Sequence, residues 1–488
     1  MQKITYTVKS ILFFVTLTAI VSCSDDFVDI DSQDPNSEDF FNTEEEYQDA
    51  LIAAYDLLQS TYINVMLGEI ASDNTLAGGE SATDVPGIQE IDNMTHTPVN
   101  AQLRDIWSWM YAGVNRTNYI MEFQDKTDFP GKEAVIAQTR FLRAYYYFEL
   151  VKWFGDVPLA IDKRIQFGEQ FDIDRTPKSA VYTLIEEDLQ FAAENLPATQ
   201  AEAGRITQGA ARALLGKVFL FQDKFSEAAT VLDQVISGPY DLVADYNMIF
   251  EQEGENNIES IFEIQYTDEE GAGFDCLQCS EGNVAVGFNG IRNYSGPLFD
   301  SGFSFNLPTQ EAFDAFEVDD IRRDVAILDI DAWAADTGAT FVTGFKHTGY
   351  YNRKYIARQG DLNTGDANLT NPNNYRAIRF ADVLLMAAEA HNRKSSSNDA
   401  QALIYLNRVR IRAQLADVSF TGAALTDAIY NERRVELVGE GHRFFDLVRT
   451  GRAAQEIDGF INGKHEVFPI PLIEIQLAGN RWEQNPGY

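Results

Sequence analysis

Three sets of residues in this chain are of types that could do chemistry. The first is Cys276 and Cys279, separated by Leu277 and Gln278. A Cys-x-x-Cys pair can close as a tight disulfide, cycle as a redox couple or supply half of a metal site. A structural zinc takes about four ligands, and no second Cys or His pair lies near. Gly and Asp flank the pair and no helix signal follows it, so the spacing favours a loop staple or two idle thiols. The second set is charged residues inside largely apolar helical stretches: Arg140, Arg143, Arg379, Glu432, Arg433, Arg434, Glu436 and Asp446. Charges there are costly unless paired. They are expected to interlock as salt bridges and caps of a scaffold rather than to catalyse. The third set is the 75 acidic residues. Two carboxylates at a defined separation can hydrolyse a glycosidic bond, but among so many acids some pair always exists. Gly-x-Ser-x-Gly, His-Glu-x-x-His and P-loop sequences are absent. No catalytic residue, metal site or cofactor is predicted.

The third cysteine is Cys23. Lys3 and Lys9 precede an apolar run over residues 11–21. That run is too short for a ~30 Å hydrocarbon core, which needs about 20 apolar residues. A basic start, a short apolar stretch and a small residue before the cut make a secretory signal. Ile20-Val21-Ser22-Cys23 resembles the lipobox of bacterial lipoproteins, in which the signal is removed and the thiol carries lipid. Each buried methylene contributes about 0.8 kcal/mol, so several acyl chains would hold a soluble body on a membrane. Residues 1–22 are therefore read as a lipoprotein signal peptide. Residues 23–40 are read as the lipidated Cys23 and a flexible acidic tether. The acids directly after Cys23 resemble the surface-export signal of Bacteroidetes lipoproteins.

The elements that would position such groups come from periodicity. Thr43-Glu44-Glu45-Glu46 fits a capping box, and Tyr47, Leu51, Tyr55 and Leu58 follow at helical spacing. Further helices are predicted over residues 103–123 and 133–153, the second with Phe141, Ala144, Tyr145 and Phe148 on one face. Ala210, Ala213, Leu214, Val218 and Phe221 recur at helical spacing. After a turn at Asp223-Lys224, so do Phe225, Ala228, Ala229, Leu232 and Ile236. Two helices joined by so short a turn must lie antiparallel. The small residues Ala213, Gly216 and Ala228, with Phe225, resemble a degenerate tetratricopeptide repeat. Residues 380–388 and 403–413 make another pair. Between residues 238 and 375 the texture changes: 14 of the 33 glycines fall there, and only short strand-like pieces remain. So long a stretch without regular helix is usually functional, and its aromatic content argues against disorder. The net charge of −37, from 38 basic against 75 acidic residues, repels polyanions and argues against a nucleic-acid partner.

Four stretches then resemble the SusD/RagB lipoproteins of Bacteroidetes. The first is Arg140-Phe141-Leu142-Arg143-Ala144-Tyr145-Tyr146-Tyr147-Phe148, continuing to Trp153-Phe154-Gly155-Asp156-Val157-Pro158-Leu159. The second is Ile378-Arg379-Phe380-Ala381-Asp382-Val383-Leu384-Leu385-Met386-Ala387-Ala388-Glu389-Ala390. The third is Glu432-Arg433-Arg434-Val435-Glu436-Leu437 with Glu440-Gly441-His442-Arg443-Phe444-Phe445-Asp446-Leu447-Val448-Arg449. The fourth is Pro469-Ile470-Pro471 with Asn485-Pro486-Gly487-Tyr488. The resemblance implies a mainly α, SusD-like fold of four degenerate tetratricopeptide-like helix pairs packed against a loop-rich subdomain with short strands. It places a single domain at residues 41–488, helices mainly at 41–237 and 376–452, and the insert at 238–375. It also implies anchorage on the outer leaflet of the outer membrane, and a SusC-like TonB-dependent transporter over which such a protein captures oligosaccharide.

A sugar presents an apolar C–H face and a rim of hydroxyls, so its binding calls for exposed aromatic plates and planar polar groups. Trp107, Trp109 and Trp153 sit in helical patterns and read as core; Trp482 lies in the terminal tail. Trp333, the only tryptophan of the insert, is the leading stacking candidate, followed by Tyr294, Phe303 and Tyr350. The loop over residues 72–100 contributes to the binding face in the family. There Asp73 and Asn74 could bond hydroxyls, with His96 behind them. The charge favours a neutral glycan such as a β-glucan. Two other readings stay open: a receptor of the same fold that captures peptides, as in the RagB branch, and a surface glycoside hydrolase.

Overall fold

The computed structural model describes residues 40–161, 163–166, 173–271, 273–366 and 368–488. The signal peptide, Cys23 and nearly all of the tether lie outside the described residues.

Nine helices of twelve residues or more are found among the described residues: α1 (Glu44–Asp56), α2 (Ala101–Glu122), α3 (Lys132–Phe154), α4 (Lys178–Asn195), α5 (Gln208–Leu220), α6 (Phe225–Ile236), α7 (Phe380–Arg393), α8 (Asp399–Arg412) and α9 (Gly422–Glu436). The capping box at α1 is present in full. Thr43 accepts from the Glu46 amide, and the Glu46 carboxylate accepts from the Thr43 amide at 3.1 Å. From α2 onward each helix packs on the next, and α6 meets α7 across the whole insert. The α5–α6 pair shows why small residues recur: a Cβ on Gly216 would sit 2.4 Å from Leu232 Cδ2. Helix α3 departs from the amphipathic expectation. Tyr146 and Tyr147 are as buried as Phe141 and Phe148, because α1, α2 and α4 cover it from several sides. The two tyrosine hydroxyls are satisfied by the carbonyls of Ala54 and Ala160.

The insert between α6 and α7 is held by short antiparallel pairs. Strands β1 (Thr75–Ala77), β2 (Ser260–Ile264), β3 (Asn306–Pro308), β4 (Ile327–Asp329), β5 (Tyr350–Asn352) and β6 (Tyr375–Arg379) pair as β1 with β3, β2 with β6 and β4 with β5. Leu76 lies opposite Leu307, and Leu328 opposite Tyr351. A small apolar cluster of Ile291, Tyr294, Phe299, Leu328, Tyr351 and Ile356 forms the insert's own core.

The charged residues of the helices are paired, as expected, and buried or half-buried. Arg379 reaches Glu259 at 3.0 Å, Glu440 at 2.8 Å, and Glu436. Arg322 reaches Asp320 and Glu432 at 2.6 Å and Glu436 at 2.8 Å. Arg412 closes the lattice on Glu259 and Glu436. Burial opposes ionisation of Glu436, but Arg412, Arg379 and Arg322 outweigh it and hold its carboxyl well below the usual range. A second lattice joins Arg433 and Arg449 to Asp382, Asp446 and Glu389. Arg140 and Arg143 share Asp188 at 2.6 and 2.8 Å. Arg379 stands at the β6–α7 junction and Arg322 inside the insert, so the first lattice rivets insert to helices.

Candidate functional site

The insert and the loop over residues 72–100 meet in one composite surface. Gly78 and Gly79 donate to the carbonyls of Phe305 and Ser304, and Phe345 donates to the Gly79 carbonyl at 2.9 Å. Lys346 bridges to Asp92 at 2.5 Å, and Arg292 lies 3.6 Å from Asp84. Trp333 belongs to this surface. It sits on a two-turn helix, Ile330–Thr337, opened by the Asp329 side chain and closed by Gly338 in the left-handed region at φ 76°. Its ring is half-buried against Phe299, centroids 5.3 Å apart. Its Nε1 donates to the Tyr294 hydroxyl at 2.9 Å, which itself donates to the Pro297 carbonyl. The indole is thus oriented by a hydrogen bond while its remaining surface meets solvent. Phe341, Val342 and Phe345 are further solvent-reaching apolar groups along residues 341–345.

A cleft of about 650 Å³ adjoins this ridge, lined by Leu298, Arg358, Gln359, Asp361, Asp268 and Asn373, among others. The Arg358 guanidinium lies over the Phe299 ring at 5.1 Å and is held by Glu251 at 3.0 Å. Burial, with Asp268 and Asp300 nearby, pushes the Asp361 carboxyl up to about 6 against the opposing bond from the Arg358 amide. The cleft therefore offers amides and carboxyls for hydroxyl groups. Each of its cations, and those on the ridge (Arg292, Lys346), already faces a carboxylate.

Phe303 is half-buried and stands on another part of the insert. It packs on Phe288 and, edge to face at 5.8 Å, on Phe274. Phe274 is 56% exposed. The sequence reading passed over it; its signal is a large apolar ring two residues before a staple. Cys276 and Cys279 form a disulfide, which settles the staple against the idle thiols. The loop is also tied down by Asp366, which accepts from the Phe274 amide at 2.9 Å. No group of three or more His, Cys, Asp or Glu among the described residues is placed to hold a metal ion.

Five expected ligand contacts turn inward. Asp73 is gripped by Arg443 at 2.7 and 2.8 Å and by Arg434 at 2.9 Å. Burial works against its charge, but Arg443 and Arg434 keep its carboxyl below the normal range. Asn74 is fully buried and accepts from Arg434 Nε at 2.8 Å. Close by, Glu69 accepts the amides of Gly439 and Gly441 at 2.9 Å each. Both glycines have φ near +80°, which lets the N–H groups on either side of Glu440 converge. Asp73 and Asn74 thus rivet the loop's first residues to the 434–443 turn. His96 is buried against Phe468, with Nε2 2.8 Å from the Tyr488 hydroxyl. Burial, helped by His465 and Lys464, pushes its pKa down to about 3. It anchors the C-terminus. Tyr294 is buried and serves Trp333. Tyr350 is buried in a stack on Phe313, centroids 4.6 Å apart, beside Val435 and Val438.

Comparison with known proteins agrees with this architecture. The family described as "SusD family" matches residues 329–488, and "Starch-binding associating with outer membrane" matches residues 26–220. A solved laminarin-binding SusD-like protein is 36% identical, with a TM-score of 0.84 over 92% of this chain and 100% of that one. Surface glycan-binding protein A from Bacteroides thetaiotaomicron, solved with laminarihexaose, is 29% identical, with a TM-score of 0.81 over 91% and 100%. SusD-like protein P2 of Formosa agariphila is 28% identical over 98% of this chain and 99% of that protein. The likeness places the chain in a class of surface glycan-binding proteins with a mainly α scaffold and a loop-rich face. It belongs to the SusD-like family.

Proposed function

We propose that this protein captures a neutral β-glucan of the laminarin type at the cell surface, without cleaving it, and delivers it to a SusC-like TonB-dependent transporter. The observation that carries the reading is the 36% identity to a laminarin-binding SusD-like protein along that protein's full length. The chemistry of the ridge and cleft is consistent with it. Trp333 supplies a plate for a pyranose face, and the amides and carboxyls beside it suit hydroxyls. The cations of the face each have a carboxylate within 4 Å, and a uronate or sulfate would meet a net charge of −37. Covering one ring face contributes only a few kcal/mol at about 25 cal/mol per Å², so affinity must come from several contacts. Phe303 with Phe274 makes a second aromatic contact in this scheme. Lipid on Cys23 would hold this weak receptor beside its transporter, raising the effective concentration.

Affinity electrophoresis in laminarin, with calorimetry against laminarihexaose, tests the reading. Retardation and a calorimetric isotherm are expected, with no reducing ends released. Release of product would establish hydrolysis instead, and heat with peptides but not with glucans would establish a peptide receptor. Co-purification of a TonB-dependent transporter with the lipidated protein from outer membranes tests the delivery step.

A further inference from the structure

A separate cavity of about 290 Å³ lies between α2 and the C-terminal segment and shares no lining residue with the Trp333 face or the adjoining cleft. Its volume is at the lower end of small-ligand sites, roughly 300–1,000 Å³. Three of its lining rings form a contiguous wall. Tyr111 and Trp107 have centroids 4.9 Å apart, and Trp107 and Trp482 have centroids 6.2 Å apart. The polar ends of two rings are already engaged by backbone: Trp482 Nε1 donates to the Ile173 carbonyl at 2.9 Å, and the Tyr111 hydroxyl to the Pro158 carbonyl at 2.7 Å. These bonds fix the rings without using the cavity. Two other lining groups are left over. The Ser108 hydroxyl and the Glu474 carboxyl have no hydrogen-bond or ion-pair partner among the described residues, and both side chains are only partly accessible. Burial raises the Glu474 pKa against the pull of Arg104, which favours the uncharged carboxyl.

We propose that this cavity is a second carbohydrate subsite, taking a single uncharged pyranose unit with Ser108 and Glu474 as its hydroxyl partners. Aromatic walls supply the apolar contact such a ring needs, and the carboxyl and the hydroxyl of the lining supply an acceptor and a donor–acceptor. The volume matches about one ring, so we assign a chain end or a free sugar as its occupant. The proposal does not depend on the Trp333 reading except for the choice of probe.

The test uses the full chain without its lipid, with glucose and laminaribiose as small probes and laminarihexaose as the long one. Intrinsic tryptophan fluorescence and saturation-transfer NMR are the readouts. The small probes are expected to perturb fluorescence in the wild type and in Trp333→Ala alike. Ser108→Phe, which fills the cavity, should abolish that signal. Glu474→Gln, a shape-preserving change, should weaken it at least five-fold while laminarihexaose binding stays within two-fold. Small-probe binding that is unchanged in both variants overturns the proposal, as does absence of small-probe binding to the wild type. If laminarihexaose binds and the small probes do not, only this proposal fails; if nothing binds, the glucan reading above fails with it.

Discussion

At the scale of the residue, the distinction that matters is between aromatic or polar groups that are spent and those that are free. Asp73, Asn74 and His96 are of the right types for hydroxyl recognition, yet all three turn inward: Asp73 and Asn74 are held by Arg443 and Arg434, and His96 Nε2 by Tyr488. Trp333 spends its N–H on Tyr294 and keeps ring surface for solvent. Trp333→Ala should weaken laminarihexaose binding about ten-fold or more, worth about 1.4 kcal/mol per factor of ten, with the melting temperature nearly unchanged; unaltered mobility on a laminarin gel would refute the stacking role. Tyr294→Phe removes the indole's anchor and should reduce affinity less. Sequence gave Trp333 as a candidate because it is the insert's sole tryptophan. It could not separate Trp333 from Tyr350, since an apolar ring in a Gly-rich stretch serves a small core as readily as a surface. Phe313 and Val435 decide the matter for Tyr350 by closing over it.

At the scale of the element, two charge lattices and the histidines whose pKa the fold lowers set the response to acid. His96 and His442 are both held neutral, each with its pKa pushed down to about 3, chiefly by burial. Unfolded histidine takes up its proton near 6.5. Between about pH 6.5 and 3 the unfolded state therefore binds more protons, and stability falls as pH falls. Asp446 adds a second loss at lower pH. Arg433 and Arg449, against the cost of burial, hold its carboxyl down at about 2, so its contribution of about 2 kcal/mol is present above pH 4 and lost on the way to 2. Urea midpoints should drop from pH 7 to 5, and His96→Gln should flatten part of that slope; a flat profile in the wild type would contradict the burial of these rings. Breaking one lattice partner, as in Arg379→Met, leaves Glu259, Glu436 and Glu440 short of a cation and should cost about 3–5 kcal/mol. Gly216→Val should destabilise by about 1–3 kcal/mol through overpacking on Leu232.

At the scale of the whole molecule, the helices form a rigid back, and the insert is fastened to it by ion pairs as well as by apolar burial. Arg322 in the insert reaches Glu432 and Glu436 of α9, and Arg379, just beyond the insert's end, also joins Glu436. A binding face built this way should change little on ligand binding, so hydrogen exchange within residues 291–305 should slow only locally when laminarihexaose is added. Reduction of the Cys276–Cys279 staple should loosen Phe274 and lower glucan affinity a few-fold while leaving the thermal transition of the helices in place. Cys23→Ser should release the protein from membranes without altering binding in solution; a variant that stays membrane-bound would show that lipid on Cys23 is not the anchor.

The long helices, their pairing across the 221–225 turn and the fate of the charged signature residues were determined by sequence alone. Helical periodicity and the cost of unpaired buried charge act locally or through residue type, and both are written into the order of residues. The candidate binding face was decided only by tertiary structure. It is assembled from a loop at 78–93 and from segments beyond residue 250, brought together by backbone bonds such as Phe345 to Gly79. Whether a given ring there is plate or core depends on what closes over it from elsewhere in the chain, and no periodicity records that. The cavity between α2 and the C-terminal segment is of the same kind: Trp107 and Trp482 lie 375 positions apart, and only packing makes them one wall.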